Sequence, residues 1–171
     1  MSQVESSEAP AVTVVADIRY TDLVRLLSRY GLALNVLDDG CPITGSYWGE
    51  PEAGVVGREL YVRRDTPIHS LLHEACHVIC MTERRRARLV RDAGGDDLEE
   101  SAVCYLQIVL ADLIRGVGRR RLMCDMDAWG YSFRLANTRA WFESDAADAR
   151  DWLVGRGLLT GDGAATFTLR R

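Results

Sequence analysis

The run His73-Glu74-Ala75-Cys76-His77 constrains this chain more than any other feature. Two imidazoles four residues apart share one face only if the backbone between them is helical, and a helix carrying them needs one side on the core and another on open space. The flanks meet both demands. Thr66-Pro67 reads as an N-cap followed by proline at the first helical position, where a missing N–H costs nothing. Ile68, Leu71, Leu72, Ala75 and Ile79 then recur at helical period, beside a second stripe that holds all three histidines of the chain, His69, His73 and His77. An H-E-x-x-H helix bordering a core is the spacing of a zinc-hydrolase site, with His73 and His77 as ligands and Glu74 as base. The competing reading is a partly exposed helix whose imidazoles only hydrogen-bond.

A catalytic zinc takes three protein ligands and keeps its fourth position for water, so a further donor is required. Gly94-Gly95 closes a loop, and Asp96-Asp97-Leu98-Glu99-Glu100 opens a second helix expected to run to about Gly116. Its apolar stripe is Val103, Leu106, Leu110, Leu113 and Val117. Glu99 falls at the centre of that stripe; Glu100 lies about a quarter-turn away with Cys104, Gln107 and Ala111. A carboxylate aimed at a core is costly without a partner, and a cation would resolve the conflict. Glu99 is therefore the expected third ligand and Glu100 the alternative. A third reading makes neither a ligand, since Asp96 and Glu99 also match a capping box and acidic residues suit a first turn.

This arrangement resembles the gluzincin metallopeptidases, and within them the ImmA/IrrE-type family of small bacterial zincins. The resemblance covers roughly residues 20–115. Thr21 to Tyr30 corresponds to the family's leading helix, Leu32 to Leu37 and Gly54 to Arg63 to its strands, and Glu99-Glu100-Ser101-Ala102 to its E-x-x-A motif. It implies His73, His77 and Glu99 as zinc ligands and Glu74 as catalytic base. Cys76 replaces the glycine usual before the second histidine, and a Leu-x-Pro segment after the glutamate helix is missing.

The rest of the chain sets the frame. With 171 residues it suits one domain with a full core. A net charge of −4 gives no basic field for nucleic acid. No window of about twenty apolar residues appears, nor a signal-like start, so the expected location is the cytoplasm, with no membrane partner. The five cysteines are odd in number and form no C-x-x-C pair, as expected of reduced thiols; Cys76 raises a redox alternative that nothing in the sequence favours.

Residues 1–10 read as a disordered N-terminus and 11–171 as one domain, with a helical extension from about residue 120. Ile43 to Trp48 and Gly54 to Val62 are expected to complete a small antiparallel sheet with Leu32 to Leu37, its last strand offering the cleft an edge for an extended peptide. Arg84 to Arg86 with Arg88, and Arg119 to Arg121, read as solvated helix ends. Ser144-Asp145 caps a helix towards Gly155, and Gly157 to Arg171 forms a hairpin or tail. Trp129, Trp141 and Trp152 are expected to pack on the core and wall the cleft; a winged-helix DNA-binding fragment is the competing reading there.

Together these features predict an α+β minimal zincin: a small antiparallel sheet, the H-E-x-x-H helix and a glutamate helix, binding one zinc ion per chain. The expected activity is cleavage of a peptide bond in a protein or peptide substrate, with His69, Tyr47, Tyr105 and Tyr131 as candidate transition-state stabilisers. The alternative is a non-hydrolytic binding or regulatory protein that keeps the zincin fold.

Overall fold

Leucines at 23, 26 and 27 line one face of the first helix, α1 (Tyr20–Ser28), and bury it against the sheet that follows. A computed structural model describes residues 11–171; the expectation for residues 1–10 lies outside the described residues. The described architecture is α+β, with strands β1 (Ala33–Val36), β2 (Gly54–Val56) and β3 (Glu59–Val62). Helices α2 (Ile68–Cys80), α3 (Glu83–Arg86), α4 (Asp97–Ala111), α5 (Gly118–Trp129), α6 (Thr138–Ser144) and α7 (Ala147–Gly155) follow. No described helix is long and apolar enough to cross a membrane.

The sheet corrects the antiparallel expectation. Its order is β1-β3-β2, with β1 parallel to β3 and β2 antiparallel to it, so it is mixed. The Gly54 to Val62 segment is not one strand: it folds back at Gly57, whose φ of 60° suits glycine, and becomes a hairpin. β3 is thus central and offers no free edge. Ile43 to Trp48 forms no strand either. It crosses β2 in a single bridge between Ser46 and Gly54, so close that a Cβ on Gly54 would meet the Thr44 carbonyl at 1.8 Å. Arg63, at the end of β3, pins this loop by donating to the Cys41 carbonyl and to the Glu50 carboxylate.

Helix α2 starts one residue later than its sequence signals suggest. Pro67 occupies the cap position, Thr66 Oγ1 instead accepts from Arg63 N at 2.9 Å, and the Thr13 carbonyl accepts the Ile68 N–H. The other end of α2 is closed by two arginines. Arg86 donates to the Val78 and Met81 carbonyls, and the C-terminal tail returns so that Arg170 reaches the Ile79 carbonyl through its backbone N–H and the Cys80 carbonyl through its side chain. These are the carbonyls a helix leaves without internal partners. Hence Arg84–Arg86 are not simply a solvated run: they form α3, Arg86 is buried and Arg85 half-buried.

Helix α4 is the centre of the molecule. Every residue from Ala102 to Ala111 is buried, because α2 covers one side and α5 and α7 others. It ends at Ala111, short of the expected Gly116, and Arg119–Arg121 lie in the first turn of α5 rather than behind α4. Arg119 and Arg121 pair there with Asp112 and Asp125. Trp141 and Trp152 are buried in the core beside α4, while Trp129 faces the cleft. The tail after α7 makes one antiparallel bridge, Leu159 with Ala165, before running back under α2.

Candidate metal centre

The i, i+4 spacing of His73 and His77 does what the helix requires of it: their Nε2 atoms lie 3.1 Å apart on one face of α2. α4 packs across that face and brings one carboxylate, that of Glu100. Its two oxygens stand 2.9 Å from His73 Nε2 and 3.1 Å from His77 Nε2. The three side chains offer ligand atoms within 4.8 Å of one another. Two nitrogens bound to one zinc in tetrahedral geometry would sit ~3.3 Å apart, so this donor set fits such an ion closely.

Glu99, the expected ligand, is elsewhere. It is 5 % exposed and turned from the histidines towards the C-terminal end of α2, where both its oxygens accept from Arg85 Nη1 at 2.8 Å and Arg170 Nη1 approaches at 3.4 Å. Gly94-Gly95 wraps round it; at Gly95, with φ 108°, a Cβ would lie 3.0 Å from Glu99 Oε1. The premise that only a cation in the site could satisfy a buried Glu99 fails because arginine does so. Its backbone N–H is taken by Asp96 Oδ1 at 2.8 Å, leaving only half of the expected capping box. The E-x-x-A register is likewise displaced: the carboxylate at the histidines is followed three residues later by Val103.

The helical-face argument misplaced the carboxylate because α4 has no single inward face. The Val103–Leu106–Leu110 stripe does point at core, but so does the stripe of Cys104, Gln107 and Ala111, and that second stripe meets α2. Gln107 is the residue the sequence reading missed. It is fully buried; its amide nitrogen donates to the His69 carbonyl at 3.3 Å, which turns its oxygen to His73 Nδ1 at 2.7 Å. His73 Nδ1 therefore donates to Gln107, which aims Nε2 at His77 and Glu100 as the atom a metal ion would take. A glutamine inside an otherwise apolar stretch of helix, about two turns after Glu100, was the signal that pointed there.

The electrostatics fit a cation. Burial works against a proton on His73, but Tyr131, Cys104 and Glu100 outweigh it and hold its pKa well above the ordinary histidine value. For Glu100 burial acts upward, and hydrogen bonds from His73 and His77 overcome it and hold the carboxyl far below the usual range. Glu74 is buried beside them and lines the cleft; burial pushes its pKa up, the two histidines offset part of that, and Glu100 and Glu52 add to it. A carboxylate of raised basicity next to a histidine pair is suited to exchanging protons.

The four candidate stabilisers separate cleanly. Tyr131 lines the cleft with His73, Glu74 and Glu100, and its ring packs edge-on to His73 at 5.9 Å. Tyr47 lines the cleft from the opposite side on an exposed loop. His69 is 1 % exposed and sits behind, its Nδ1 3.2 Å from the Tyr131 hydroxyl; burial lowers its pKa to about 4, so it is neutral and orients Tyr131. Tyr105 is out of reach, stacked on Phe142 with centroids 4.5 Å apart. Cys76 and Cys80 are buried in the core, and burial raises both thiols well above the ordinary range, so neither has thiolate character.

No protein-family model, curated protein or solved structure matches the chain.

Proposed function

We propose that the chain is a zinc-dependent endopeptidase acting on a cytoplasmic protein, with His73, His77 and Glu100 holding one zinc ion and Glu74 as general base. The observation that carries this reading is the convergence of the two Nε2 atoms and the Glu100 carboxylate at ligand spacing, on the floor of a cleft that Glu74 also lines. When bound, the ion supplies Lewis acidity and lowers the pKa of water. The chain's residues do the rest. Glu74 accepts a proton from the attacking water, a transfer that its raised pKa favours, and passes it to the leaving amine. Tyr131, whose ring walls the cleft and whose hydroxyl is held by His69 and kept protonated by a pKa pushed up to about 12 through burial, is the candidate donor to the developing oxyanion. Gln107 fixes the ring of His73.

The test is Glu74→Gln, which keeps the shape and removes the basicity. Zinc content should remain near that of the parent, while cleavage of candidate partner proteins falls by about 10²–10⁴-fold. Chelation should abolish cleavage by the parent and added zinc restore it. A Glu74→Gln protein that acts as well as the parent would transfer the case to the non-hydrolytic binding protein.

A further inference from the structure

The cleft has two sides, and they differ in charge. Trp48, 72 % exposed on the loop pinned by Arg63, borders both. On one side the lining beyond the metal centre is Tyr47 and the Arg91–Gly95 segment, which brings one cation, Arg91, and one anion, Asp92. On the other is a cavity of about 370 Å³ whose walls are Trp48, Trp129 and Tyr131 and whose charged groups are Glu52, Glu74 and Glu100. No arginine lines it. Glu52 Oε1 accepts from Trp129 Nε1 at 2.7 Å, which fixes carboxylate and indole together, and no ion pair to Glu52 forms among the described residues.

The charges make Glu52 the exception. A divalent cation at His73, His77 and Glu100 balances the carboxylates of Glu74 and Glu100, whereas Glu52 stays half-buried with a negative charge and a neutral donor. A carboxylate at one end of an aromatic-walled cavity is the arrangement that favours an ammonium or guanidinium, through a charge-assisted hydrogen bond and the faces of the rings.

Resting on the peptidase reading, we infer that this cavity binds a cationic group of the substrate next to the scissile bond, with Glu52 as the specificity-determining residue. The cation comes either from a lysine or arginine side chain or from a free amino terminus, and the two sources are separable. The probes are three hydroxamates whose heads bind zinc: Nα-acetyl-lysine hydroxamate, norleucine hydroxamate with a free α-amine, and Nα-acetyl-norleucine hydroxamate, which has neither cation. Their affinities for the zinc-loaded parent and for zinc-loaded Glu52→Gln are measured by calorimetry. Glutamine can still accept from Trp129, and matched melting temperatures establish that the variant is folded.

In the parent, the lysine probe should bind ~10-fold or more tighter than the acetylated norleucine probe if the side chain is the source, and the free-amine probe should do so if the terminus is. Either gap should close in Glu52→Gln. Equal affinities for all three probes in the parent overturn the cationic subsite and leave the metal centre standing, as does a gap that persists in Glu52→Gln. Failure of every probe to bind zinc-loaded protein removes the metal-centred cleft itself, and this inference with it.

Discussion

Glu99 and Glu100 are neighbours in one turn of α4, yet they are used in opposite ways. Glu99 is buried and joined to Arg85 and Arg170; Glu100 is half-exposed and joined only to histidines. A buried carboxylate needs compensation, and here the fold supplies it permanently from α3 and the C-terminal tail. The carboxylate left for an ion is the one at the cleft, whose present partners are themselves candidate ligands. Burial alone therefore selects the glutamate held by arginine, and the identity of the partners selects the one that could hold a metal.

The largest expected effect breaks the pair apart by metal content. Glu100→Gln removes one of three donors, so purified protein should lose most of its zinc, whereas Glu99→Gln should retain the parent's content. Metal analysis after dialysis decides it. Comparable loss in both variants, or loss in Glu99→Gln alone, would return the ligand role to Glu99.

Stability should show the reverse order. Glu99→Gln leaves two arginines facing a neutral amide at the end of α2; since Arg85 and Arg170 can turn partly to solvent, the cost should be about 2–3 kcal/mol, less than for a fully enclosed pair. Glu100→Gln in metal-free protein should change stability by less than half of that. Urea unfolding of both metal-free variants is the measurement, and equal destabilisation would mean that the two glutamates are not divided as described.

What was legible in the sequence follows the same division. The H-E-x-x-H helix, the glutamate helix and Glu74 are set by local spacing, and local spacing was enough to place them. Which carboxylate reaches the histidines depended on which flank of α4 meets α2, and an all-round buried helix does not announce that. The mixed sheet escaped for a similar reason. Gly57 and the Thr44–Ser46 crossing at Gly54 break a run of β-forming residues by tertiary approach, not by propensity. The Arg84–Arg86 run looked solvated because the carbonyls that Arg86 closes, at Val78 and Met81, belong to the end of a helix reached only after the chain turns back.

The smallest expected effect sharpens the comparison within the functional flank. Gln107 touches no proposed ligand atom; it holds His73 Nδ1–H at 2.7 Å and ties that bond to the His69 carbonyl. Partners of this kind fix the ring and its tautomer, and losing one costs ~10–100-fold in metal affinity. Gln107→Leu should therefore weaken zinc binding by about that factor. Leucine also leaves the His73 Nδ1–H donor without its partner, so a drop in stability alone would not establish an orienting role. Gln107→Glu separates the two: it loses the donor to His69 but offers His73 a stronger acceptor. If Gln107 acts by orienting His73, Gln107→Glu binds zinc at least as tightly as the parent even where its melting temperature is lower. If zinc affinity instead follows stability through both variants, Gln107 is a core residue and His73 is held in place by its helix alone.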